Sequence, residues 1–73
     1  MKSLPIQLTS NFIRFKDESI IFYSSFIFSN SPQKLEFYDK NGELVYFAEI
    51  SMIDNSYEIL YDLFFSKGVI DGN

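Results

Sequence analysis

Asn41-Gly42, set between two β-rich runs in residues 34–50, fixes the local topology more firmly than any other feature of the chain. Both residues tolerate the positive φ that tight hairpin turns demand, so Lys34 to Ile50 reads as an antiparallel hairpin. Two registers are open. A two-residue type I′ loop sets Lys40 against Glu43 and Lys34 against Glu49, both attractive pairs. A type I turn from Asp39, with Gly42 in a G1 bulge, sets Asp39 against Glu43 instead, a like-charge pair. Opposed charges shift a hairpin by a few tenths of a kcal/mol up to about 1 kcal/mol, and on that margin the first register is preferred. It places Leu35, Phe37, Leu44, Tyr46, Ala48 and Ile50 on one face. Tyr38, Val45 and Phe47 fall on the other, among Lys34, Glu36 and Glu49.

The chain before the hairpin supplies further strands. Leu4 to Thr9 is a short extended segment that Pro5 confines to a sheet edge or a strand start. Phe12 to Lys16 has one wetter face, and Asp17-Glu18-Ser19 is a polar break of hairpin size. In Ile20 to Phe28 the even positions carry Ile20, Phe22, Phe26 and Phe28, and the odd ones Ile21, Tyr23 and Ile27. A strand apolar on both faces is expected to be covered on both sides. Asn30-Ser31-Pro32-Gln33 is a turn.

After the hairpin, the spacing predicts a helix over 56–67. Asn55 caps it, with Glu58 three residues on completing a capping box. Lys67 favours the negative end of the helix dipole. Gly68 at C′ lets Val69 reach back to Phe64 in a Schellman ending, and 68–73 form a tail. The expected fold is α+β: one domain over 1–73, a mostly antiparallel meander of four or five strands, then one C-terminal α-helix packed on the sheet.

Burial is the difficulty for such a chain. Nine Phe and five Tyr stand among 73 residues. At about 100° per residue, the helix's apolar side chains cover about 240° of its circumference, against the roughly 100° stripe that packing on one sheet needs. A domain this small buries only about 60% of its unfolded surface, and each large side chain left wet forgoes about 1.5–3 kcal/mol. We therefore expect a second copy to cover the surplus in a two-fold dimer, with Tyr57, Tyr61, Phe65, Ile59 and Leu63 at the interface. The alternative is a curled half-barrel that folds around its own aromatics with the helix as a plug.

Composition removes most chemistry. The chain has no Cys and no His, so it has no disulfide, thiolate nucleophile, Cys/His zinc site or imidazole base. Glu58 and Asp62 lie one helical turn apart but without a third carboxylate beside them, which favours a solvated face over a metal site. Asp39 to Glu43 lacks the spacing and closing Glu of a calcium loop. Phe12, Arg14, Phe15 and Lys16 have the composition of a single-stranded nucleic-acid platform, but the net charge of −4 opposes that use. Ser24-Ser25 is the one polar interruption of the most apolar strand. The three glycines are isolated, so no phosphate loop exists.

These exclusions leave a non-enzymatic protein with no cofactor, no metal and no direct nucleic-acid or membrane partner. The N-terminal residues lack a signal-like apolar run, and no stretch approaches the roughly twenty apolar residues of a spanning helix; a cytoplasmic location is expected. From residue 36 onward stand eight acids and two bases. An acidic face can dock on a basic, nucleic-acid-binding surface of a larger protein, as compact phage-encoded or antitoxin-like inhibitors do, an analogy of size and charge. The candidate partner-binding residues are Glu43, Glu49, Asp54, Glu58 and Asp62. The other expectations are a small-molecule-binding oligomer with an aromatic pocket between subunits, and an accessory subunit of a larger complex.

Overall fold

The computed structural model describes residues 3–66, with side chains through Phe64. Six strands form two three-stranded antiparallel sheets: β1 (Pro5–Leu8), β2 (Phe12–Phe15) and β3 (Ile20–Phe22), then β4 (Ser25–Asn30), β5 (Gln33–Tyr38) and β6 (Leu44–Glu49). A helix α1 (Ser56–Tyr61) follows and continues as a π-helical segment, Asp62–Ser66. The fold is α+β, but a single meander of four or five strands is replaced by two sheets. Residues 67–73, and with them the expected last helical residue Lys67 and the Gly68 and Val69 ending, lie outside the described residues.

The two sheets arise where one long strand was expected. Ile20 to Phe28 breaks at Tyr23-Ser24, where the Tyr23 N–H donates to the Asn11 carbonyl (3.0 Å) and the Ser24 N–H to the Tyr38 carbonyl (2.8 Å). One residue step thus carries the chain from the first sheet to the second. The change of sheet reverses the inward parity. Ile21 and Tyr23 point inward before it, Phe26 and Phe28 after it, while Ile20, Phe22 and Ile27 are exposed. The Tyr23 hydroxyl donates to the Thr9 carbonyl, and its ring meets Phe37 edge-to-face at 4.9 Å.

The hairpin combines both registers. At the turn the Gly42 N–H donates to the Asp39 carbonyl (3.0 Å) and the Asp39 N–H to the Glu43 carbonyl (2.9 Å), with Gly42 at φ 81°. This is the type I turn with a G1 bulge, not the preferred type I′ loop. The like-charge pair is outweighed because Asp39 Oδ1 accepts the N–H groups of Asn41 (2.8 Å) and of Glu43 itself (2.9 Å), and hydrogen bonds to a carboxylate are about twice as strong as neutral ones. A register shift between Phe37 and Tyr38 then leaves Val45 as an extra residue on β6, so that Lys34 faces Glu49. The bulge turns Leu44 outward and draws Val45 toward the core. Ile50, past the end of β6, is exposed rather than on the core face.

The core comprises Leu8, Ile13, Phe15, Tyr23, Leu35, Phe37, Ala48, Tyr57 and Leu60, drawn from both sheets and the helix. The helix packs against β1 and β6, one strand of each sheet. Its start differs from the sequence expectation. Asn55 has φ 62° and makes no side-chain cap; Asp54 Oδ1 instead accepts the Ser56 N–H (3.0 Å). An N-cap needs an extended backbone, whereas Asn in the left-handed region leaves capping to the Asx turn of its neighbour. Beyond Tyr61 the wider π-helical turn also breaks the 100° periodicity on which the helix arc was drawn.

Candidate functional site

An open groove of about 640 Å³ runs between the helix and the open end of the second hairpin. Leu4, Gln33 and Ile50 form one side. The helix supplies Glu58, Asp62, Ile59, Tyr61 and Leu63, with Tyr57 and Asn55 behind them. Glu58 and Asp62 are exposed, one turn apart, because they occupy the arc opposite the buried Tyr57 and Leu60. Among the described residues no Lys or Arg lines this groove, so it carries the acidic character of the second half undiluted.

The other three acids of the expected partner surface stand elsewhere. Glu43 is in the hairpin turn, six residues from Glu49, a span of about 20 Å along a strand. Glu49 is half-buried opposite Lys34, whose ammonium lies 3.7 Å from Glu36. Asp54 is half-buried and spends one oxygen on the helix start. The structure therefore brings together Glu58 and Asp62, and separates Glu43.

The expected interface residues divide too. Tyr57 is only 3% exposed and belongs to the chain's own core, reaching the groove only at its floor. Its hydroxyl is buried without a hydrogen-bond partner, and burial, then the neighbouring Tyr61 phenol, raises its pKa. Tyr61 is 40% exposed, its ring 5.9 Å from Tyr57 and 6.2 Å from Phe28. Ile59 and Leu63 are half-buried groove residues, and the side chain of Phe65 lies outside the described ones.

Beneath the helix start, burial pushes the Tyr46 phenol up; the neighbouring Ser56 hydroxyl opposes this and the charge of Asp54 adds to it. The fold divides the basic-aromatic run of the second strand between the core and the outer face. Phe15 is buried, while Phe12 packs edge-to-face on Phe22 at 5.9 Å beside the exposed Arg14. Ser24-Ser25 marks the change of sheet, and Ser24 also lines a shallow open pocket of about 240 Å³ with Phe22, Tyr23, Asp39, Lys40 and Asn41. Gln33, Leu4 and Ile50 were missed as groove residues, and no local signal could have found them, since the docking of the helix alone makes them neighbours. Among the described residues no three acids stand close enough to hold a metal ion, and no helix is long and apolar enough to cross a membrane. No family model matches the chain, and neither the curated proteins nor the solved structures searched contain a match.

Proposed function

We propose that this is a non-enzymatic binding protein, an inhibitor or modulator whose acidic groove occupies a basic, nucleic-acid-binding surface of a larger protein. The observation that carries this reading is the exposed pair Glu58 and Asp62, one turn apart on a groove lined by Tyr61, Ile59 and Leu63 and by no cation among the described residues. Charged side chains over half-buried apolar ones give a partner both steering and desolvated contact. Tyr61 offers an apolar body with a polar tip, the combination enriched at interfaces.

A second reading rests on the size of the groove. About 640 Å³ falls within the range of small-molecule sites, and tyrosines are among its lining residues. Native mass spectrometry of freshly purified protein separates the two, because a retained ligand adds a discrete mass.

The test of the first reading uses the protein as bait in its native cell extract, beside a Glu58→Lys, Asp62→Lys variant. Circular dichroism checks that both baits are folded. The expected result is a stoichiometric partner held by the natural protein, released by salt and lost from the variant. Identical capture by both baits refutes the groove as the binding surface.

A further inference from the structure

We infer that the outer face of the first sheet binds single-stranded nucleic acid, stacking a base on the Phe12–Phe22 pair between phosphate contacts from Arg14 and Lys40. The register sets Phe12 opposite Phe22, and Arg14 opposite Ile20 on one side and Gln7 on the other. Their strand neighbours Leu8, Ile13 and Phe15 are buried, so by strand alternation these residues share the outward face. The two rings meet edge-to-face at 5.9 Å, and Phe22 is 68% exposed. Ile20, also exposed, extends the apolar surface beside Arg14.

An exposed aromatic alone selects no partner. The outer face of the second sheet shows the difference: its exposed Phe47 stands opposite Glu36, with Glu49 two positions along the same strand. On the first sheet no outward strand residue is acidic, and Asp17 and Glu18 are confined to the β2–β3 turn, at the end away from Phe22. Arg14 is exposed and stands about 7 Å along the strand from Phe12. On the other side of Phe22 opens the pocket of about 240 Å³ that Ser24, Lys40 and Asn41 line. Among the described residues neither Arg14 nor Lys40 makes an ion pair. Asp39, the acid of that pocket, has one carboxylate oxygen committed to the N–H groups of Asn41 and Glu43.

Cations flanking exposed rings are the composition of a single-strand platform, where phosphates meet the charges and any base can lie on a ring. A duplex stacks its bases on one another and offers no such face. The net charge of −4 that opposes nucleic acid for the chain as a whole belongs elsewhere: the first 35 residues carry four bases and two acids, and the other eight acids follow. Phe12, Arg14, Phe22 and Lys40 do not line the acidic groove, so this inference stands apart from the proposed function.

The test is fluorescence anisotropy of labelled oligothymidylate and oligouridylate about ten nucleotides long, a length within the site sizes of such platforms. The expected result is a dissociation constant of about 0.1 mM or tighter at low salt, with a duplex of the same length held at least about fivefold more weakly. Binding of either oligonucleotide supports the inference, and their relative affinity tells whether DNA or RNA is the preferred source. One stacked base is worth about fivefold to about a hundredfold, so Phe22→Ala should weaken binding at least about fivefold, while Phe47→Ala leaves it unchanged. Circular dichroism checks that both variants are folded. Two phosphate contacts give a slope of log affinity against log salt of about −1.4, which Arg14→Gln should bring to about −0.7. No binding of either oligonucleotide at about 0.1 mM, a duplex held as tightly, no loss in Phe22→Ala, or an equal loss in Phe47→Ala each overturns the inference.

Discussion

Tyr23→Phe removes one hydroxyl at the point where the chain changes sheet. Tyr23 is 7% exposed, and its hydroxyl donates to the carbonyl of Thr9, itself a buried residue of the first hairpin. The phenylalanine keeps the edge-to-face packing on Phe37 and leaves the Thr9 carbonyl short of a partner where water has little access. A buried acceptor so orphaned costs about 1–3 kcal/mol. In a domain of this size each kcal/mol lowers Tm by about 4–8 °C. Urea and thermal unfolding followed by circular dichroism measure the change. A variant within about 0.5 kcal/mol of the natural protein, the level of an ordinary surface substitution, refutes the assignment.

The same variant has an alkaline signature. Burial pushes the Tyr23 phenol from 10.0 up to about 12. A raised folded pKa means that the native state prefers the neutral phenol, while the unfolded chain ionises first. The stability contributed is therefore whole below pH 10, shrinks as pH climbs toward 12 and is gone above it. A rise of this size corresponds to at most about 3 kcal/mol, of which solvent screening leaves on the order of 1 kcal/mol. Phenylalanine does not titrate, so the gap in stability between natural protein and variant should narrow by about 1 kcal/mol across that window. Taking the difference cancels Tyr46 and Tyr57, whose phenols burial also raises. Parallel stability curves would show that Tyr23 does not ionise on unfolding in the way described.

Two further substitutions test the paired hairpin turns. Glu18 holds φ 75° at the position where the second hairpin has Gly42 at φ 81°, and each turn closes with the same pair of backbone hydrogen bonds. Glu18→Gly relieves about 1–2 kcal/mol of left-handed strain and adds about 0.5–1 kcal/mol of unfolded-chain entropy, so the urea midpoint should rise by the equivalent of about 0.5–1 kcal/mol; a fall contradicts this. Gly42→Ala should cost about 0.5–1 kcal/mol, the left-handed strain less the entropy alanine removes from the unfolded chain, since nothing lies within 4 Å of the added methyl; an unchanged midpoint would place the turn in another conformation.

How much of the fold was legible in the sequence depended on whether its cause was local. Asn41-Gly42 announced a hairpin because tolerance of positive φ is local to those two residues, although only Gly42 uses it. The register was not legible, because an Asp39 carboxylate occupied by two N–H groups and a bulge at Val45 together decide it. The turn between β2 and β3 was readable only as a polar break, since Glu18 occupies a position where a glycine would have been the signal. Asp17 is held below the usual carboxylate range by the Ser19 hydroxyl and then by the Ser19 N–H, a local pattern that Asp-Glu-Ser does encode. Of the candidate site, Glu58 and Asp62 followed from helical spacing. Their neighbours Gln33, Leu4 and Ile50 follow only from how the helix docks.

The change of sheet at Tyr23-Ser24 also alters what the apolar surplus means. A strand greasy on both faces argues for two coverings only if it is one strand. Here it is two half-buried strands joined out of phase, and much of the excess goes into the chain's own core. The helix likewise buries Tyr57 and Leu60 and leaves Tyr61 outside. What remains exposed is scattered: Ile20 and Phe22 on the outer face of the first sheet, Ile27 and Phe47 on that of the second. Such residues do not select a partner, because more than half of any folded protein's surface is contributed by apolar atoms.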